Sequence, residues 1–129
     1  MNKPATPRIL VVEDNELNME MTEGILNIKG FEVDKAYNGK EAVDRLLESV
    51  PGTYLMVLMD IQMPVMNGYE ASTTIRASGR KDLELLPIIA ITADTYSDDL
   101  KKIKVAGMND YIAKPIDIDA LVHILDTLL

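Results

Sequence analysis

The 129-residue chain has a composition that fits one domain and excludes several functional classes. Hydrophobic residues make up 47% of it, which is enough for a real core, and the length leaves no room for a second domain. A net charge of −8 disfavours direct nucleic-acid binding, because a phosphate backbone would be repelled. With no cysteine and a single histidine, His123, disulfides, thiolate catalysis and a zinc site of several histidines are excluded.

No segment of the sequence resembles a membrane span or a secretory signal. The longest apolar runs are the size of strands, and Met1–Pro7 holds two prolines and no apolar signal core. We therefore expect a cytoplasmic protein without a membrane span. Residues 1–7 are expected to be a flexible N-terminal segment, and residues 8–129 the folded domain.

The first half of the chain alternates between strand-like and helix-like patterns. Short continuous or alternating apolar runs predict strands, whereas apolar residues that recur every three or four positions predict helices. The predicted elements are a strand at Ile9–Val12, a helix carrying Leu17, Met21, Ile25 and Ile28 that ends at Gly30, a strand at Phe31–Ala36, and a helix carrying Ala42, Val43, Leu46, Leu47 and Val50 that ends at Pro51-Gly52.

The second half continues the alternation, which gives five strands and five helices in total. Strict strand-then-helix order predicts a doubly wound α/β fold, with a five-stranded parallel sheet covered by helices on both faces. The elements of this half are strands at Leu55–Met59, Ile88–Ile91 and Tyr111–Ala113, a helix at Tyr69–Ser78, a helix carrying Leu100 and Ile103 that is capped by Gly107, and a last helix carrying Ile118, Leu121, Val122, Leu125 and Leu128.

Polar residues follow four of the five predicted strands. Glu13 and Asp14 follow the first strand, Asp60 the third, Thr92 the fourth and Lys114 the fifth. Because ligands bind beyond the carboxyl ends of parallel strands, we expect these side chains to face one crevice. Taken singly, Asp14 also fits a helix N-cap, Thr92 a turn and Lys114 an ordinary surface position. An aspartate directly after a five-residue apolar run is harder to explain as structural.

This set of side chains predicts phosphate chemistry with a metal ion. Three clustered carboxylates repel one another, so the pKa of at least one of them is raised unless a cation lies among them. A set of ligand atoms that are all oxygen favours Mg²⁺ as that cation. Asp60 would be a carboxylate nucleophile that forms an acyl phosphate, while Lys114 and the Thr92 hydroxyl neutralise and hold phosphoryl oxygens. No glycine-rich nucleotide motif follows any strand, so neither a dinucleotide nor a nucleoside triphosphate is predicted.

From Arg8 to Leu129 the pattern resembles the receiver domain of response regulators in two-component signalling. The resemblance implies a flavodoxin-like fold with strand order 2-1-3-4-5. The Asp60-to-Gly68 stretch, and Asn18 after the first motif, look most like receivers of hybrid sensor histidine kinases. The matching segments are Val-Val-Glu13-Asp14-Asn15, Leu-Met-Asp60-Ile-Gln-Met-Pro64-Val-Met-Asn-Gly68, Ala-Ile-Thr92-Ala93 and Tyr111-Ile-Ala-Lys114-Pro115.

By this resemblance, Asp60 is the phosphoacceptor and takes its phosphoryl group from a histidine kinase or a histidine phosphotransfer protein. Asp14, Asp60 and the backbone carbonyl of Gln62 would ligate Mg²⁺, and Glu13 would act chiefly through water. Lys114 would pair with the phosphoryl group. The domain would catalyse its own phosphorylation and dephosphorylation, as a signalling domain rather than an enzyme with a separate substrate.

The resemblance also implies a switch. Thr92 would move to bond a phosphoryl oxygen and Tyr111 would swing inward, which repacks the face made by the fourth predicted helix, the fifth strand and the last helix. An unidentified downstream effector would read that face, with the domain a monomer or a dimer. The bond before Pro115 is expected to be cis, and Gly68 is expected to serve loop geometry. Asn67 stands where many receivers carry an aspartate.

Two other functions fit parts of the pattern. A phosphohydrolase like those of the haloacid dehalogenase superfamily also combines a nucleophilic aspartate with threonine, lysine and Mg²⁺. That superfamily places a second aspartate two residues after the nucleophile, where this chain has Gln62, which cannot act as a general acid. A binding adaptor that works without phosphorylation would keep the fold but would not need the complete set of site residues.

Overall fold

Strands and helices alternate along the chain, which we describe from a computed structural model of residues 7–93, 97–114 and 116–128. The described residues form five strands and six helices. The strands are β1 (Arg8–Val12), β2 (Glu32–Ala36), β3 (Met56–Asp60), β4 (Ile88–Thr92) and β5 (Asp110–Ala113), and the helices are α1 (Glu16–Ile28), α2 (Gly39–Glu48), α3 (Gly68–Arg76), α4 (Lys81–Leu85), α5 (Ser97–Val105) and α6 (Ile118–Leu128).

The five strands form one parallel sheet in the order β2-β1-β3-β4-β5. β1 pairs with two strands, so that Ile9 lies opposite Val33 on β2 and opposite Met56 on β3. The strand order therefore reverses next to β1, and a crevice is expected beyond the carboxyl ends of β1 and β3. The predicted doubly wound, flavodoxin-like fold and its strand order are confirmed.

Alternate residues of the central strands supply two hydrophobic cores, one on each face of the sheet. Leu10 and Val12 of β1 pack into the core beneath α2, α3, α4 and α5, whereas Ile9 and Val11 pack into the core beneath α1 and α6. β3 and β4 are buried along their whole length. This double burial explains why both strands are continuous apolar runs in the sequence.

Three helices begin at an asparagine whose side chain accepts a hydrogen bond from the backbone N–H three residues later. These are Asn15 before α1, Asn38 before α2 and Asn67 before α3. Asn67 and Glu70 form a complete capping box, in which Glu70 also accepts from the N–H of Asn67 at 3.2 Å. The asparagine that departs from the common receiver pattern is therefore the residue that starts α3.

Helix α4 was not predicted, so the expectation of five helices was wrong by one. Its five residues are too few to show a helical period, and Leu83 is its buried side chain. Tertiary contacts fix the segment at its N-terminus. The guanidinium of Arg80 donates to the carbonyl of Leu46 at 2.9 Å and pairs with Asp82 at 2.8 Å.

The side chain of Arg76, at the end of α3, connects α3 to two other segments, α4 and the loop between α5 and β5. Its guanidinium donates to the carbonyl oxygens of Gly107 and Leu83 and to Oδ1 of Asn109, at 2.9, 2.6 and 2.9 Å. Burial lowers the pKa of this arginine. Gly107 has a positive φ of 84°, and a Cβ there would lie 2.8 Å from Cγ of Arg76. The end of α5 therefore needs a glycine for its backbone conformation and for the close approach of Arg76.

Two predictions concern residues that the structure does not describe. The expected cis bond before Pro115 lies outside the described residues, and so does the N-terminal segment apart from Pro7. The carbonyl of Pro7 accepts a hydrogen bond from the N–H of Glu32 at 2.8 Å, which continues the pairing of β1 with β2. Across the described ranges, none of the helices has the length and apolar character needed to cross a membrane.

Candidate functional site

The carboxyl ends of the strands bring together the polar residues that the sequence singled out. Glu13 follows β1, Asp60 ends β3, Thr92 ends β4 and Lys114 follows β5. Carboxylate oxygens of Glu13, Asp14 and Asp60 all lie within 4.8 Å of one another. We call these three residues the acidic cluster.

Asp60 is held in position at both carboxylate oxygens. The residue is 1% exposed, its Oδ2 lies 2.7 Å from Nζ of Lys114, and its Oδ1 accepts a hydrogen bond from the N–H of Gln62 at 3.1 Å. Each carboxylate oxygen has two lone pairs, so both oxygens retain capacity for a cation or an electrophile. The contacts therefore fix the direction of the carboxylate without using up its bonding capacity.

Glu13, within the acidic cluster, has a raised pKa. Burial, followed by the negative charge of Asp60, raises the pKa of Glu13 to about 7. Lys114, whose Nζ is 3.8 Å from Oε2, and the N–H of Asn15, 3.2 Å from Oε1, act in the opposite direction. A raised pKa is what the sequence predicted for clustered carboxylates.

The donor set of the acidic cluster fits a hard divalent cation. Three carboxylates face one ammonium group, that of Lys114, which leaves the cluster negative when all its carboxylates are ionised. Oxygens of all three residues lie within 4.8 Å of one another, which is close enough for one small hydrated cation to be held among them. Asp14 is exposed, which leaves that side of the cluster open to solvent.

The loop between β3 and α3 folds back onto the end of β3. Gly68 donates its N–H to the carbonyl of Ile61 at 2.9 Å, and a Cβ at this position would lie 2.6 Å from the carbonyl oxygen of Asp60. A tight turn precedes it, with Val65 at a positive φ of 68°. A side chain at Gly68 would therefore push the loop away from the carboxylate that ends the strand.

A cleft of about 520 Å³ opens beside the acidic cluster. Asp14, Gln62 and Thr92 line it, as the sequence led us to expect, and Thr92 is only 5% exposed. Three further charged or phenolic residues were not predicted. These are Tyr69 on α3, and Asp99 and Lys102 on α5. The only sequence signal for the last two was their three-residue spacing, which puts them on the same side of a helix.

The structure does not bring Tyr111 to this cleft. Tyr111 lies on the edge strand β5 and is 37% exposed. The backbone at the end of the neighbouring strand is fixed by a hydrogen bond from the N–H of Lys114 to the carbonyl of Thr92, 2.8 Å long. Of the two predicted switch residues, Thr92 therefore lies at the site and Tyr111 on the adjoining surface.

A second cavity, of about 370 Å³, lies on the other side of Lys114. Glu13 and Lys114 form its polar end, and side chains of α1 and of the segment leading into α6 form its apolar part. Large apolar side chains around it are exposed to solvent. They are Met21 (58%) and Ile118 (51%); Leu17 (65%) is also exposed on α1 but does not line the cavity.

The arrangement of residues matches a known family. The sequence model of the response regulator receiver domain matches residues 9–126. The chain belongs to the response regulator receiver domain family. This receiver domain is 37% identical, over 93% of its length, to part of hybrid signal transduction histidine kinase I of Dictyostelium discoideum, and it spans 7% of that protein. It is 32% identical to the polar-differentiation response regulator DivK of Brucella ovis, with 96% of this chain and 97% of DivK covered.

Solved structures of receiver domains are similar to this chain in both sequence and fold. The receiver domain of the sensor histidine kinase PA1611 of Pseudomonas aeruginosa, determined with a magnesium ion in its active-site cleft, is 37% identical with a TM-score of 0.85, covering 96% of this chain and 98% of that one. The receiver domain of Ssk1 from Saccharomyces cerevisiae, crystallised with the histidine phosphotransfer protein Ypd1, is 32% identical with a TM-score of 0.78, covering 92% and 87%. The predicted family is confirmed.

Proposed function

We propose that this receiver domain accepts a phosphoryl group on Asp60 from a phosphohistidine of a histidine kinase or a histidine phosphotransfer protein. The observation that carries the proposal is the environment of Asp60. This carboxylate ends a fully buried strand, yet it belongs to the acidic cluster, contacts the ammonium of Lys114 and lies beside an open cleft. The Ssk1 receiver, crystallised with a phosphotransfer protein, supports the class of donor.

In the proposed reaction, a carboxylate oxygen of Asp60 attacks phosphorus in line with the imidazole leaving group. The new P–O bond forms as the P–N bond breaks, and the electron pair of that bond returns to the imidazole nitrogen. No general base is needed, because a carboxylate nucleophile has no proton that must be removed. Lys114 and the Thr92 hydroxyl stabilise the phosphoryl oxygens, which is the positioning and charge neutralisation that phosphoryl transfer requires.

Asp14 and Asp60 of the acidic cluster would hold Mg²⁺ together with the backbone carbonyl of Gln62, with Glu13 acting chiefly through water. When bound, the ion supplies positive charge next to the phosphoryl oxygens. The oxygen-only donor set and the magnesium-containing PA1611 receiver support this assignment. In the reverse direction of signalling, water would attack phosphorus, the P–O bond to Asp60 would break and inorganic phosphate would leave, so that the domain would catalyse its own dephosphorylation as well.

We propose that the new charge on Asp60 operates a switch. Lys114 and Thr92 would turn toward the phosphoryl oxygens, and Tyr111 would rotate from its exposed position toward the space behind Thr92. Tyr111 lies on an edge strand, so its ring can move without disturbing a second strand partner. The surface of α5, β5 and α6 would change shape and be read by a downstream effector or a second copy.

The donor protein is proposed to dock on α1 and α6. The exposed apolar side chains of Met21 and Ile118 border the 370 Å³ cavity that ends at Glu13 and Lys114, and Leu17 is exposed on the same helix as Met21. A partner that covers them would bring its histidine close to Asp60. Met21→Glu should slow transfer from a phosphotransfer protein at least tenfold without affecting phosphorylation by acetyl phosphate. Ile28→Glu, also on α1 and 85% exposed in the wild type, is the matched control outside that cavity.

Intact-mass analysis tests the proposed chemistry directly. The domain would be treated with acetyl phosphate or beryllofluoride, with and without Mg²⁺, beside the Asp60→Asn variant. One Mg²⁺-dependent adduct, absent in the variant, is expected. If folded, Mg²⁺-supplied wild type gains no adduct, Asp60 is a structural carboxylate and the domain is a phosphorylation-independent adaptor. Multiple turnover of a small phosphate ester would instead indicate a phosphohydrolase.

A further inference from the structure

We propose that Lys102 on α5 is a positioning residue that draws anionic phosphodonors into the cleft, and that Asp99 opposes it. The inference rests on the proposed phosphorylation of Asp60 and adds a determinant of donor specificity outside the acidic cluster. The donors it would favour are those that carry the most negative charge.

The first support is the location of the two side chains. Lys102 and Asp99 line the same cleft of about 520 Å³ as Asp14 and Thr92. Lys102 also lines a neighbouring cavity of about 480 Å³ between α3 and α5, and Tyr69 is the other residue common to both cavities. Lys102 therefore stands at the wall between the entrance of the cleft and the adjoining groove.

The second support is the charge around the cleft. Without its ion the acidic cluster opposes the approach of any phosphate, and the net charge of −8 opposes it even when Mg²⁺ is bound. The ammonium of Lys114 is already 2.7 Å from Asp60. Among the described residues that line the cleft, Lys102 alone is cationic, and it forms no ion pair with a described carboxylate. Its charge is therefore available to an incoming anion.

The expected size of the effect follows from the dimensions of the cleft. A volume of about 520 Å³ corresponds to a width of roughly 8 Å, which is no larger than the screening length at about 0.1 M salt. At that distance in a water-filled cleft, one unit charge changes the local concentration of a dianion roughly two- to fivefold. A donor with less negative charge should respond less, and high salt should abolish the difference.

The test compares phosphorylation rates of the whole domain at saturating Mg²⁺. Lys102→Gln should slow phosphorylation by acetyl phosphate about two- to fivefold near 0.02 M salt, with no difference left near 0.5 M. Phosphoramidate, which carries less negative charge, should show a smaller loss. Lys102→Arg should retain the wild-type rate, and Asp99→Asn should be faster than wild type. Lys104→Gln is the matched control, because Lys104 is on the same helix and lines neither cavity.

Two results would overturn the inference. One is a Lys102→Gln rate equal to that of Lys104→Gln at low salt. The other is a loss of rate that persists unchanged at high salt, since a merely structural effect is not screened. Failure of the proposed function looks different, because the wild type itself would then gain no phosphoryl group at any salt concentration.

Discussion

The Nζ atom of Lys114 lies 2.7 Å from Oδ2 of Asp60, and the same ammonium is 3.8 Å from Glu13. One cation therefore balances two buried carboxylates. Lys114→Met should lower the free energy of unfolding by about 1–3 kcal/mol in the absence of divalent ions. This is less than the loss of a fully buried partner, because the lysine side chain is 26% exposed. Urea denaturation in EDTA measures this change in the free energy of unfolding.

Added Mg²⁺ should recover more stability in Lys114→Met than in the wild type, since it replaces the missing positive charge. Lys104→Met, an exposed lysine of α5, serves as the control. Equal stabilisation of both variants by Mg²⁺ would contradict the shared-cation explanation.

Glu13→Gln should have opposite effects on stability and on metal binding. The side chain is buried next to Asp60, so loss of its charge removes a repulsion and should stabilise the metal-free protein by about 1 kcal/mol. Mg²⁺ affinity should fall roughly tenfold, as is typical when a residue supporting a metal site is removed. Thermal melts across a Mg²⁺ titration give both values. A variant less stable than wild type in EDTA would show that the repulsion is already relieved.

Gly68→Ala and Gly24→Ala form a matched pair that should change the free energy of unfolding in opposite directions. At Gly68 a Cβ would meet the backbone of Asp60 at 2.6 Å, so alanine should displace the loop, cost about 2 kcal/mol or more and slow phosphorylation. At Gly24, in the middle of α1, a Cβ meets nothing within 4 Å, so alanine should stabilise by about 0.5–1 kcal/mol. Denaturation curves and intact-mass rates test both; a neutral Gly68→Ala would refute the close contact.

Arg76→Leu should destabilise the domain by about 2–4 kcal/mol, because it leaves three acceptors without their donor in a half-buried region. Arg76→Lys should retain less than half of the stability that Arg76→Leu loses, since an ammonium group cannot donate in the fixed planar geometry of a guanidinium. Urea unfolding compares them with Lys81→Gln, an exposed control on α4. Hydrogen exchange should quicken around Gly107 and Asn109. A loss confined to α3 would argue that Arg76 does not join the segments.

Alkaline pH should reveal the hydrogen bond from the Tyr54 hydroxyl to Asp34, which is 2.6 Å long. Burial, and then the interaction with Asp34, raise the pKa of Tyr54 to about 12 from an ordinary value near 10. A raised folded-state pKa gives stability that is complete below pH 10 and is lost as pH rises toward 12. The stability advantage of the wild type over Tyr54→Phe should therefore shrink between about pH 10 and pH 12 in urea unfolding. If the wild type and Tyr54→Phe lost stability in parallel as the pH rises, the raised pKa of Tyr54 would be contradicted.

Sequence reasoning was most successful where burial and chemistry act on adjacent residues. An apolar run that ends at Asp60 predicts both the strand and the carboxylate at its end, because β3 is buried on both faces and the crevice begins where it stops. The same logic located Glu13, Thr92 and Lys114. Because the strands pair in parallel and each is joined to the next by a crossover connection, few strand orders are then possible.

The features that were missed depend on how separate segments pack. Helix α4 is shorter than the period that would reveal it, and Arg76 looks in the sequence like an ordinary surface residue of α3. Which face of α5 borders the cleft is set by its rotation on the sheet, so Asp99 and Lys102 could be placed only from the fold. Asn67 could be recognised as a helix cap only once the structure showed where α3 begins.

The pairing of Asp60 with Lys114 also has a consequence for the order of events during synthesis. The lysine follows the aspartate by 54 residues, which is roughly 3 to 11 s of translation at ordinary rates. During that interval a nascent chain contains all three carboxylates of the acidic cluster but neither their ammonium partner nor the strand that positions it. On the proposed function, an unfinished chain would thus be a poor phosphoacceptor until β5 and Lys114 have been synthesised.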